Sequence, residues 1–222
     1  MSGTFTLRYA ITKDPDSPCE PTHHDVTFEI VDCTTLDFDG VDDYVDLGTS
    51  YTGSYTIEAW IRPFDRPIEG TDQTTDSSTG TIISGPSYEV NMSELPPEVI
   101  PGTRWYHIAI TPDKKLYVDG IQIAGASLAG GHGKQGTFIG ANNNAAGEMV
   151  NHFSGWIEEV RFWNKGLTQN QIRFMMNQRL KNNGAEMGEQ IPMPVPEGLT
   201  YSDLAGYYRP VSYTHLRAHE TV

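Results

Sequence analysis

The sequence predicts an antiparallel two-sheet β-sandwich, on three observations. Apolar and polar residues alternate over short stretches, the period of two that marks strands with one buried face. Turn formers recur throughout, with 22 glycines and 14 prolines in 222 residues, which keeps the strands short. The stretch LDFDGVDDYVDLG at 36–48, followed by GSYTIEAWIRP at 53–63, has a counterpart in FSGWIEEVRFWNKGLTQNQI at 153–172, and these two ends are expected to pair and close the sandwich.

At the N-terminus, Phe5, Leu7, Tyr9 and Ile11 alternate with polar or small residues, and Val26, Phe28 and Ile30 do so after a Pro-rich connection. This predicts a β-hairpin within 1–33. It resembles the last two strands of a bacterial immunoglobulin-like domain, the remainder being expected upstream. Cys19 and Cys33 flank its second strand and are compatible with a disulfide or with two free thiols.

In the sandwich, expected over 34–183, Tyr55, Ile57, Ala59 and Ile61 form one face of a strand and Glu58, Trp60 and Arg62 the other. Tyr106, Ile108 and Ile110 are core-facing on the next clear strand, opposite Trp105 and His107. On the last strand Glu158, Val160 and Phe162 are assigned inward, leaving Glu159, Arg161 and Trp163 outward. Asp119-Gly120 supplies the positive φ of a tight hairpin turn. The polar run Glu69 to Gly80 predicts a mobile loop. Thr168 and Gln171 form a capping box ahead of one short helix whose apolar spacing is Ile172, Met175, Met176 and Leu180.

These blocks, together with RWYHIAITPDKKLYVDGIQIAG at 104–125, resemble the laminin G-like, or concanavalin A-like lectin/glucanase, jelly roll of bacterial surface multidomain proteins. The resemblance spans roughly Thr35 to Leu180. Residues 184–210 are expected to hold a Pro-rich linker and, in GLTYSDLAGYYR at 198–209, the opening of a next module. VSYTHLRAHET at 211–221 matches a translated sequencing adapter, which makes the chain a metagenomic fragment and assigns 211–222 to an artefact.

The net charge of −14 argues against nucleic acid, whose binding needs a basic surface. No apolar run approaches the length of a membrane span. Glucan hydrolases of this fold present Glu-x-Asp-x-x-Glu on one strand, and that triplet is missing from this sequence, so no enzyme is expected. If the outward residues share the concave sheet, as the resemblance implies, then Glu58, Trp60, Arg62, Trp105, His107, Glu159, Arg161 and Trp163 would line a glycan groove. Sugar rings would stack there on aromatic plates while charged groups fix their hydroxyls. Members of the family the chain resembles also fill this sheet with structural tryptophans and internal Glu/Arg pairs, which is the packing alternative to a groove. Asp39, Asp42 and Asp43, completed by Asn142 and Asn144, offer the hard oxygens that Ca2+ prefers, although Asp39-Gly40 and Asp42 equally build a turn. The expected role is extracellular or cell-surface recognition or adhesion, with a glycan or glycoprotein as partner and neighbouring modules in the same chain. A structural spacer and an accessory domain of a carbohydrate-active enzyme are the rivals.

Overall fold

The computed structural model describes residues 3–11, 22–30, 35–97, 99, 101–102, 104–123, 131, 136–180 and 198–209. Cys19, Cys33, most of the Pro-rich linker and the adapter-like tail lie outside them. The strands are β1 (Gly3–Ile11), β2 (Thr22–Ile30), β3 (Leu36–Asp39), β4 (Val45–Asp46), β5 (Thr56–Pro63), β6 (Thr81–Gly85), β7 (Tyr88–Asn91) and β8 (Tyr106–Ile110). They continue with β9 (Leu116–Val118), β10 (Ile121–Ile123), β11 (Phe138–Ile139), β12 (Asn142–Asn143), β13 (Met149–Val150), β14 (Ser154–Trp163) and β15 (Leu204–Tyr208); one α-helix, α1, spans Gln169–Met175.

β1 and β2 form the expected hairpin as a unit of their own, with Phe5 opposite Phe28 and Leu7 opposite Val26. The second unit, from Thr35 onward, is the sandwich. Its larger sheet runs β10-β9-β8-β5-β14-β15, with β3 also on β14; its smaller one runs β4-β11-β6-β7. The predicted closure is present: β14 pairs with β5 along one edge and with β3, through Ile157–Leu36 to Ser154–Asp39, along the other.

The core forms because the inward residues of both sheets are aliphatic or aromatic. Ile57, Ala59, Ile61, Ile108, Val160 and Phe162 meet Ile82, Val90 and Ile139. Each fully buried isoleucine, valine or phenylalanine of this set contributes about 1.5–3 kcal/mol. Phe38 fits only because Gly140 lies over it at φ 87, where an added Cβ would sit 2.3 Å from the ring.

Two expectations change. The Glu69 to Gly80 segment is pinned rather than loose. Thr75 and Ser77 are buried; Thr75 Oγ1 bonds Ser154 Oγ at 2.8 Å and Ser77 N–H donates to Asp65 at 2.8 Å. Short hydroxyl side chains that look like solvent-facing loop in sequence here satisfy buried polar groups. Residues 198–209, expected to open a next module, instead supply β15, which continues the β14 edge beyond β3 through Val160–Tyr208, Arg161–Tyr207, Phe162–Gly206 and Trp163–Leu204. An exposed strand edge is a row of unpaired donors and acceptors, and β15 fills it. No described helix is long and apolar enough to cross a membrane.

Candidate functional site

The outer face of the larger sheet is a ladder of side chains fixed by strand register. Trp156 lies opposite both Arg62 and Asp37, Glu158 opposite Trp60, Trp60 opposite His107, and Arg161 opposite Glu58. Between Glu158 and Arg161 the register shifts, and Glu159 takes φ 55. One extra residue resets the alternation. Glu158, expected inward, therefore shares the outer face with Trp60, while Val160 returns to the core.

α1 covers one end of this ladder. Its capping box forms as predicted, with Thr168 N–H donating to Gln171 Oε1 at 2.9 Å. Ile172 and Met175, with Leu167, Leu180 and Leu199, bury Ala109, Tyr117 and Trp163. Of the proposed groove residues, Glu58 and Trp163 are 0% exposed and His107 and Arg161 1%, so these four line no groove. They hold the helix instead. Trp163 Nε1 donates to Glu58 Oε2 at 2.6 Å, and Arg161 donates to Met175 O at 2.9 Å, to Glu159 Oε2 at 2.8 Å and to Gln178 O. Glu159 also accepts from Tyr207 Oη and is mostly buried, and Trp60 Nε1 donates to Met176 O at 2.9 Å. A cation and an indole N–H at the helix C-terminus satisfy carbonyls the helix cannot pair itself.

Burial sets the protonation behaviour beneath the helix. Desolvation raises the Glu58 carboxyl, against the pull of Arg161 and the Trp163 hydrogen bond. His107 is pushed down to about 3 by burial and by the Arg161 charge. Its Nε2 stands 3.7 Å from Glu58 Oε1, too far for a hydrogen bond.

The other end of the ladder stays accessible. Arg62 and Trp105 remain part-exposed, joined by Trp156 and Phe64, which the sequence reading left out. The Trp105 and Trp156 rings stack with centroids 6.1 Å apart at 28°, and Phe64 meets Trp156 edge-on at 5.0 Å. Arg62 lies over Trp156 at 5.1 Å and Arg66 over Phe64 at 4.5 Å. Arg66 is also bridged to Asp37. Trp60, edge-on to His107 at 5.3 Å, marks the boundary with the covered end. This shelf of two stacked indoles flanked by guanidinium groups can pack against an apolar ring and hydrogen-bond its substituents.

At the end of β3, Asp39, Asp42 and Asp43 each place a carboxylate oxygen within 4.8 Å of the others. Asp39 Oδ1 accepts from Val41 N–H at 2.7 Å and Asp43 Oδ2 from Asp39 N–H at 2.9 Å, so the turn reading holds as well. Partial burial, opposed by that backbone hydrogen bond, and then the charges of Asp39, Asp42 and Asp37 raise the Asp43 carboxyl. Asn144 is occupied on both amide atoms by Glu148, whereas Asn142 Oδ1 is buried without a partner.

A family model described as the concanavalin A-like lectin/glucanases superfamily matches residues 39–173, more than half of the chain. The chain belongs to that superfamily. As a concanavalin A-like domain it is also similar to a crystal structure of a provisionally named carbohydrate binding protein from Bacteroides ovatus. Identity is 19% and the TM-score 0.42; the match covers 93% of this chain and 60% of that one. No curated protein matches it.

Within this concanavalin A-like domain, one signal in the sequence could have found Trp156. Counting outward and inward positions from Ile157, which pairs with the buried Ile61, puts Trp156 on the outer face; counting back from Val160 across the bulge hides it.

Proposed function

We propose that this domain is a non-catalytic glycan-recognition module of a secreted or surface-attached protein, binding a glycan or glycoprotein partner on the Trp105–Trp156 shelf. The observation that carries the reading is the pair of stacked, part-exposed indoles with Arg62 beside them. Hydrolysis would need two carboxyl groups flanking one bond. Glu58 lies beneath α1, and Glu158, raised to about 7 by burial and by Glu159, has as its nearest acidic neighbour a group already held by Arg161 and Tyr207. Neither arrangement supplies a nucleophile–acid pair. Repetition of such modules would multiply weak contacts through effective concentration.

On a glycan array, the wild type is expected to bind and Trp156→Ala to lose about 2 kcal/mol, roughly thirty-fold, while remaining folded at the assay temperature. Binding that survives this change would retire the shelf. The buried Trp163 is what a spacer without a ligand would also show, and the accessible Trp105–Trp156 pair is what separates the two readings.

The residues at the β3 end fit a calcium ion: Asp39, Asp42 and Asp43 would hold it, with Asn142 the remaining candidate, and Asn144 is otherwise engaged. The ion would supply positive charge that offsets carboxylate repulsion and rigidifies the turn. Adding Ca2+ at a hundred-fold excess over its Kd is expected to stabilise the domain by about 2.7 kcal/mol, reversed by chelator. A thermal melt unmoved by chelator removes calcium from the picture.

A further inference from the structure

The shelf has an unbalanced charge. Among the described residues, the cations around it are matched: Arg66 with Asp37, Arg104 with Asp119 at 2.7 Å, and Arg161 with Glu159. Arg62 is different. Its side chain makes no hydrogen bond or ion pair among the described residues, and its guanidinium lies over the Trp156 ring. In a chain carrying 29 acidic against 15 basic residues, a guanidinium that has found no carboxylate is a departure from expectation. Glu158 is diagonal to it in the ladder, yet no ion pair joins the two.

From this we infer that the shelf selects a glycan bearing a carboxylate, a uronic acid residue, with Arg62 taking the carboxylate and the accessible part of the Trp105–Trp156 stack packing against the sugar ring. The Trp156 ring engages the guanidinium carbon at 5.1 Å and not its terminal nitrogens, which form the fork that matches a carboxylate in two parallel hydrogen bonds. The inference rests on the shelf being the glycan site. It also sets a limit on the ligand. The net charge of −14 repels a polyanion over a Debye length, so the acidic sugar is an isolated residue on an otherwise neutral chain.

The test is calorimetric titration of the full chain with two trisaccharides, a glucuronic-acid-capped xylobiose and the same molecule with its carboxyl reduced to the neutral glucose form. Wild type is expected to bind the acidic form about ten-fold or more tightly than the neutral one. Arg62→Gln is expected to bind both alike, at the neutral level, and Arg62→Lys to keep part of the preference. Lys114→Gln removes the same charge from an exposed turn at the far end of β8 and is expected to change nothing. Equal binding of the two sugars by wild type, abolished by Trp156→Ala, would overturn the acidic preference and leave the shelf standing. A preference that persists in Arg62→Gln would overturn Arg62 as the group that takes the carboxylate. Absence of binding to either sugar at millimolar concentration, with no array signal, would overturn both readings.

Discussion

Replacing Arg161 with methionine is expected to destabilise the sandwich by about 3–5 kcal/mol, the cost of breaking a buried ion pair from one side. The guanidinium is almost wholly buried and binds two carbonyls at the end of α1 as well as Glu159, with Glu58 Oε2 3.9 Å away. Methionine fills much of the volume but leaves the Met175 and Gln178 carbonyls without that donor and Glu58 without a compensating charge. Against a typical domain stability of about 5–15 kcal/mol this is a large fraction. The double change Arg161→Met with Glu58→Gln is expected to recover about 1–2 kcal/mol, because the stranded carboxylate is gone while the Gln178 carbonyl still lacks its donor; Met175 O keeps the Gln178 N–H at 3.0 Å. Urea unfolding measures both. A single variant within about 1 kcal/mol of wild type would mean that the helix is held by its apolar face alone.

Acid is expected to loosen the same cover through His107. Its folded-state value, about 3, lies below the ordinary 6.5, so the unfolded chain takes up the proton first. Stability from the neutral imidazole is complete above pH 6.5 and is lost as the pH falls toward 3, by up to about 1.4 kcal/mol per unit. Glu58 opposes this. Its carboxyl is raised above 4.5, so the folded state takes up that proton first, and protonation relieves the cost of a buried charge as the pH falls toward 4.5. The two slopes partly cancel above pH 4.5 and the His107 loss dominates below it. Stability measured against pH should therefore converge between wild type and His107→Leu as the pH drops, and Glu58→Gln should steepen the loss that begins near 6.5. Parallel curves for wild type and His107→Leu would show that the imidazole titrates alike in both states.

The sandwich was legible in the sequence because its strands advertise themselves: Ile57, Ala59 and Ile61 alternate cleanly, Asp119-Gly120 builds its turn with φ values of 49 and 70, and Thr168 with Gln171 starts the helix. The site was half legible. Alternation correctly sends Glu58, His107, Arg161 and Trp163 to the outer face, yet alternation knows nothing of a third layer, and α1 turns that part of the face into interior. The bulge at Glu159 escaped because nothing in its side chain announces a positive φ; glutamate rarely adopts one. The reassignment of 198–209 has a similar cause. Its period-two pattern says strand, but partner choice is a long-range property that local pattern does not encode.

β3 and β15 lie end to end along one edge of β14, with Leu36 opposite Ile157 and Tyr208 opposite Val160. The polypeptide therefore arrives at the sandwich and departs from it at neighbouring points, and the intervening residues hang from that junction as a pendant. Tension along the backbone would load the few ladder bonds at Leu36 and Tyr208 first and peel the domain open from its seam, while the ligand shelf and the covered helix felt the pull only later.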